Sequence, residues 1–404
     1  MKSTVSEKPA VLGGKPTFKS VVPIVKPPLK AIIDKTLLDF RKILESRMIT
    51  NSEFVRRLEE AAANYLGVKQ CVATSSCSSA LMLSIKALRI RHGEALLPSF
   101  TFPATAHAVY WNQLKIRLVD CDRQTFNMSI EDLEEKVTKE SKMIMPVHVF
   151  GNPCNTKAIE EIAEDNRLKI IYDAAHAFGA KKDGVSVGGF GDAEVFSGSP
   201  TKAFTTVEGG IVATDNPEIA QTVKIGRNYG HYGDYNCVMP GLSARMSELH
   251  AALGLNLLPH VASDVEKRNS LARRYLKGLR KLHGIQFQKI TANSLSTYKD
   301  FAIVIDRKKF GLNRDQLAAS LQKENVMTRK YFYPPIHMQK CYPELNADDE
   351  ALPNTSYVAK NVLCLPMFSE LSNEQVNRIV EAVSKIQQDA KAIQRVLQRQ
   401  KIVM

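Results

Sequence analysis

Residues 195–215, VFSGSPTKAFTTVEGGIVATD, decide how the chain is read. A short apolar strand runs into small and hydroxylated residues around one lysine, Lys202. After Glu208-Gly209-Gly210 a second apolar strand, IVAT, begins. The connection sets Lys202 among Ser197, Ser199, Thr201, Thr205 and Thr206. A lone loop lysine is ordinarily solvated surface, so its meaning depends on what else the chain brings to the same end of the sheet.

Outward from this stretch the pattern alternates. CVATS (71–75), EALLP (94–98), KIRLVD (115–120), KMIMPVHVF (142–150), LKIIYD (168–173), AEVFS (193–197) and GIVAT (210–214) read as strands. Helical segments lie between several of them: SSALMLSIKAL, a segment from about Thr101, and residues 156–165. Alternation of this kind predicts an α/β, doubly wound, mostly parallel sheet.

Two amphipathic helices precede the alternation. One covers roughly 30–46. The other, NSEFVRRLEEAAANYLG, sets Phe54, Leu58, Ala61, Ala62 and Tyr65 at helical spacing and stops at Gly67, with Thr50 and Glu53 as its expected capping box. Residues 255–281 are helical in pattern, and IQFQKI and DFAIVIDRKKF then predict a smaller α+β domain. The expected domains are a proline-bearing extended arm (1–28), a large α/β domain (29–258), and a connecting helix with a small C-terminal domain (259–404).

Composition narrows the function classes. In 404 residues, 44% hydrophobic and 24% charged, no apolar run is long enough to cross a bilayer. The N-terminus lacks the apolar core of a secretory signal. Seven cysteines are scattered singly without CxxC spacing, which argues against a disulfide framework or a metal site and for a cytoplasmic location. The net charge of +13 comes largely from the chain ends and reads as solvated surface, and no nucleic-acid module accompanies it.

Four features fall at strand ends, where ligands bind in such sheets. ATSSCSSAL (73–81) carries small residues into a helix N-terminus, an anion site supported by serine hydroxyls. Asp173 ends the apolar strand of IIYDAAHAFGA, where a carboxylate can keep a heterocyclic nitrogen protonated, and His176 follows it. Phe102 in PSFTFPAT can lie flat on an aromatic ring. Lys202 can lose its proton in a desolvated site and form a Schiff base. Each feature alone has a plain structural explanation in a cap, a core ring or an exposed lysine. Together they match the requirements of pyridoxal 5′-phosphate.

The chain resembles the DegT/DnrJ/StrS family of pyridoxal-phosphate-dependent sugar aminotransferases, of aminotransferase fold type I. The resemblance runs from about residue 30 to 385. It rests on MITNSEFVRRLEE, VATSSCSSAL, PSFTFPATAHAV, PVHVFGNPCN, DAAHAFGA, GDAEVFSGSPTK, EGGIVATD, GLSARMSELHAALGL and LPMF. It implies that Lys202 carries the cofactor, Asp173 faces the pyridine nitrogen, Phe102 stacks on the ring and His176 lies beside it. Ser78, Ser197 and the Cys77 amide would hold the phosphate, and the Glu208-Gly209-Gly210 turn would bring backbone close to the site.

Two departures from the family pattern stand out. Ser243 occupies the place of an asparagine that reaches the neighbouring subunit's phosphate, and SGSPTK replaces SFHxxK. Retention of Lys202 argues against the branch that dehydrates sugars. TRKYFYPPIHMQKCYP, with the other motifs, looks most like enzymes aminating C4 of dTDP-4-keto-6-deoxyglucose. The expected partners are L-glutamate and that keto-sugar nucleotide, in a homodimer with shared active sites. Thr50, Asn51, Arg329, Tyr331 and His337 are the substrate-side candidates. The alternatives are a C3 ketone, a GDP- or UDP-linked sugar, or a non-catalytic regulator that kept the cofactor.

Overall fold

The computed structural model describes residues 8–346 and 350–399. Its centre is a seven-stranded sheet: β1 (Gln70–Thr74), β2 (Glu94–Pro98), β3 (Lys115–Val119), β4 (Ser141–Ile144), β5 (Lys169–Asp173), β6 (Ala193–Ser197) and β7 (Gly210–Thr214). Their order is β1-β7-β6-β5-β4-β2-β3. Only β7 is antiparallel to its neighbours, β1 and β6. The α/β, mostly parallel expectation therefore holds.

Period-2 alternation explains why both faces are covered. Ala73, Phe196 and Ile211 join one core with Leu58 and Ala62 of α2 (Glu53–Leu66). Val72, Val195 and Val212 join the opposite core with Leu81 of α3 (Cys77–Ala87) and Val109 of α4 (Pro103–Trp111). Each pair of adjacent strand residues thus serves two layers.

The expected strand over 142–150 stops at Ile144. Pro146 has no amide to donate, so the ladder ends, and a 3₁₀ turn forms at Val149–Gly151. The break redirects the chain so that His148 N–H donates to the Asp173 carbonyl at 3.2 Å.

The C-terminal half builds a three-stranded sheet in which Phe301–Ile305 lies between Ile285–Phe287 and Val362–Leu365. Phe301, Ile303 and Ile305 pack with Leu271 and Tyr275 of the helix Val261–Leu279 and with Val376 and Ile379. Residues 8–28 lie along this half: Phe18 and Val22 enter its core, and Glu324 accepts from the Thr17 amide at 2.7 Å. No helix among the described residues is long and apolar enough to cross a membrane.

The capping box expected from Thr50 and Glu53 does not form. The N-cap of α2 is Ser52, and no side chain near it in sequence caps the helix. Buried Glu248, from a helix of the same layer, accepts instead from the amides of Ser52 (2.7 Å), Phe54 (2.7 Å) and Val55 (3.1 Å). Its charge also opposes the positive end of the α2 dipole. Glu248→Ala strands three donors and is expected to cost about 2–4 kcal/mol in urea unfolding. Glu248→Gln keeps an acceptor and loses less. An unchanged midpoint in Glu248→Ala would show that water caps the helix.

Candidate active site

A cleft of about 380 Å³ opens at the carboxyl ends of β1, β5 and β6. Residues 299 and 331–332 of the C-terminal half form its other wall. Lys202, Asp173, His176, Phe102, Cys77, Ser78 and Ser197 all line it, so the sequence motifs converge on one place.

Asp173 ends β5 with its carboxylate buried. Each oxygen has one neutral donor: Thr105 Oγ donates to Oδ2 at 2.7 Å, and the Ala175 amide to Oδ1 at 3.1 Å. Thr105 is held in turn by the Thr101 hydroxyl at 2.8 Å. Burial raises the Asp173 pKa, and the two donors oppose that rise. A carboxylate with two donors retains lone pairs for a third, which is what a ring N–H needs.

Lys202 leaves the end of β6 on the loop to β7. Among the described residues its amine has neither a hydrogen bond nor an acid in contact. Burial, and after it the Lys299 cation, lower its pKa to about 8. Such an amine gives up its proton far more readily than an exposed lysine, so a neutral fraction able to attack a carbonyl or take up a proton exists near physiological pH.

His176 is neutral and its tautomer is fixed by its partner. The Phe150 amide donates to Nδ1 at 3.1 Å, so the ring proton sits on Nε2. Burial, with Lys202 and Lys299, holds its pKa well below the usual range. The ring is stacked nearly parallel to Phe150 and Phe332, at 9° and 18°. Phe102 is 57% exposed although it lines the cleft, so it is a platform and not a core ring.

At the other end of the cleft Ser76 caps α3 by accepting from the Ser79 amide at 3.1 Å. The amides of Cys77 and Ser78 remain without helical partners, with the Ser78 and Ser197 hydroxyls nearby. The Cys77 thiol is pushed well up by burial and by Asp173, so it stays neutral and contributes its amide. A Cβ at Gly210 would sit 2.5 Å from the Ser76 carbonyl oxygen, and only glycine lets β7 start this close.

These groups fit pyridoxal 5′-phosphate. Exposed amides at a helix start suit its phosphate, a carboxylate with spare lone pairs suits the ring nitrogen, and Phe102 offers a face for the ring. No cluster of acids, histidines or cysteines able to hold a metal ion occurs among the described residues.

Tyr331 is the one substrate-side candidate that the fold brings to the cleft. His337 is buried between Ser99 and Ser356, at 2.7 and 3.3 Å, and ties the chain after β2 to the helix Pro353–Asn361. Arg329 is exposed and pairs through its backbone with Cys364. Thr50 and Asn51 bond to the Met246 carbonyl, and Ser243 is exposed; none of the three lines this cleft. Sequence reasoning missed Thr105, Phe332 and the buried Lys299–Asp300 pair. Thr105 sits three residues from Phe102 in a motif already singled out, which was the available signal for it.

The model of the DegT/DnrJ/EryC1/StrS aminotransferase family matches residues 30–384. A dTDP-4-amino-4,6-dideoxy-D-glucose transaminase from Shigella dysenteriae is 35% identical over 85% of this chain and 93% of its own. A dTDP-3-amino-3,6-dideoxy-alpha-D-galactopyranose transaminase from Aneurinibacillus thermoaerophilus is 32% identical over 85% of this chain and 93% of its own. The crystal structure of DesI with its TDP-sugar product superposes with a TM-score of 0.88 at 28% identity, covering 98% of this chain and 99% of that one. The chain belongs to the DegT/DnrJ/EryC1/StrS family and is a pyridoxal 5′-phosphate-dependent sugar aminotransferase.

Proposed function

We propose that the enzyme moves the amino group of L-glutamate to C4 of dTDP-4-keto-6-deoxy-D-glucose, giving dTDP-4-amino-4,6-dideoxyglucose and 2-oxoglutarate. The observation that carries the chemistry is a half-buried Lys202 amine, with no acid in contact, in one cleft with the Asp173 carboxylate. The choice of C4 rests on the resemblance to enzymes of that specificity.

Bound pyridoxal 5′-phosphate supplies an aldehyde that condenses with primary amines and a ring that accepts the electron pair left by a departing proton. Lys202 provides the amine that holds it. With cofactor and glutamate bound, Lys202 would be the base that takes the proton from the donor's Cα and holds it for return. The same amine runs that transfer in reverse for the keto-sugar. Asp173 keeps the ring nitrogen protonated, Thr105 and the Ala175 amide fix its orientation, and Phe102 and His176 set the ring plane. Ser78, Ser197 and the amide of Cys77 bind the phosphate.

The reading includes a cytoplasmic homodimer with shared sites. In that reading Ser243, which is exposed and outside its own cleft, would reach the phosphate site of the second copy.

Borohydride reduction of the loaded enzyme followed by peptide mapping should leave cofactor on the peptide containing Lys202. Lys202→Ala should lose turnover while still binding cofactor non-covalently, seen as retained absorbance after gel filtration. Turnover in that variant would remove Lys202 from its role.

Asp173→Asn should keep the fold by circular dichroism and lower kcat by about 10²-fold or more. An unchanged rate would refute the ring-nitrogen assignment.

Mass spectrometry of products from a panel of keto-sugar nucleotides with glutamate should give the amine from the dTDP-linked C4 ketone. Preferential amination of a C3 ketone, or of a GDP- or UDP-linked sugar, would overturn the choice of substrate.

A further inference from the structure

The cleft holds a second lysine for which the chemistry above has no use. Lys299 lies two residues before the strand Phe301–Ile305 and is 3% exposed; its neighbour Asp300 is 4% exposed. Lys299 Nζ lies 2.9 and 3.1 Å from the two Asp300 carboxylate oxygens and 4.7 Å from the centre of the Tyr331 ring. Burying an ion pair is a poor way to stabilise a fold, because desolvating both charges cancels most of their attraction. Such a pair beside a reactive group calls for another explanation.

The orientation supplies one. Lys299 lines the cleft and Asp300 does not, so the pair presents its cation to the cleft; Asp300 and Asp173 act on Lys202 in the opposite sense, but each by less than Lys299. The other titratable groups facing Lys202 carry no positive charge. From α3 comes Cys77, a neutral thiol, and from the end of β5 come Asp173 and the neutral His176. Its own loop brings the exposed Glu208, and the C-terminal half brings Tyr331, whose hydroxyl burial keeps protonated. Lys299 is therefore the one cation besides Lys202 among the described residues lining the cleft.

We propose that Lys299, clamped by Asp300, is a positioning residue that favours the neutral, nucleophilic form of the Lys202 amine. The proposal rests on Lys202 being the reactive amine. Asp300 thereby divides the work between two lysines. The one with a carboxylate in contact has its ammonium engaged by both Asp300 oxygens. The other, facing that fixed charge with no acid in contact, gives its proton up.

The test is the pH dependence of Lys202 labelling by trinitrobenzenesulfonate in the full-length, cofactor-stripped protein, measured by peptide mapping. Wild-type labelling should rise through a midpoint near pH 8. Lys299→Met should move that midpoint up by about one unit, so that Lys202 reacts about tenfold more slowly at a fixed neutral pH. Lys299→Arg keeps the charge and should retain the wild-type midpoint.

Lys299→Met leaves Asp300 buried without its partner, so Lys299→Met/Asp300→Leu replaces the whole pair with apolar groups. It should fold with an unchanged thermal transition and still show a raised midpoint, by less than Lys299→Met because Asp300 acts on Lys202 in the opposite sense. A wild-type midpoint in the folded double variant overturns the proposal while leaving Lys202 as the reactive amine. Failure of borohydride to trap cofactor at Lys202 would remove that premise, and the proposal with it.

Discussion

A half-buried amine with no acid touching it is the constraint around which this structure is arranged. Water would keep a lysine charged, and an adjacent carboxylate would do the same. Withdrawing both is what lets Lys202 carry a lone pair near neutral pH. The surrounding elements each supply part of that environment. The β6–β7 connection lifts Lys202 over the sheet end, and α3 presents amides in place of acids. The C-terminal half closes the far wall with Tyr331, Phe332 and Lys299.

The sheet topology makes this environment possible. Parallel strands collect their carboxyl ends on one edge, so residues from β1, β5 and β6 meet although they are far apart in the chain. The antiparallel β7 lets the loop after β6 return at once, which is why Lys202 and Gly210 sit at the same edge. The break at Pro146 adds a local refinement: it frees the chain to bring the Phe150 amide to His176 Nδ1, fixing that ring as a neutral donor through Nε2.

Sequence pattern carried the sheet because its two-residue period is a local property. β1, β5, β6 and β7 fall within a residue or two of the segments expected from Cys71, Leu168, Ala193 and Gly210. The cleft residues Lys202, Asp173 and Phe102 were legible because each is an odd residue at a strand end. Partnerships between distant segments were not. Nothing near Thr50 announces that Glu248 caps α2 from another helix. The sequence around Lys299 reads like any surface lysine beside an aspartate. His337 erred in the opposite direction: a histidine in an aromatic segment invites a chemical role, yet Ser99 and Ser356 occupy both of its nitrogens.

Two aspartates show how partners, more than burial, decide what a carboxylate can do. Asp173 and Asp300 are almost equally sequestered, at 5% and 4% exposure. Asp300 spends both oxygens on a full cation, so the pair is neutral as a unit and has little left for a ligand. Asp173 receives only a hydroxyl and an amide, which orient it without discharging it. The uncompensated charge is costly in isolation and becomes favourable when a protonated ring nitrogen arrives, so binding energy is concentrated on one atom of the ligand. The same logic separates the two lysines. In this cleft, whichever ionisable group lacks an opposite charge of its own is the one left available for chemistry.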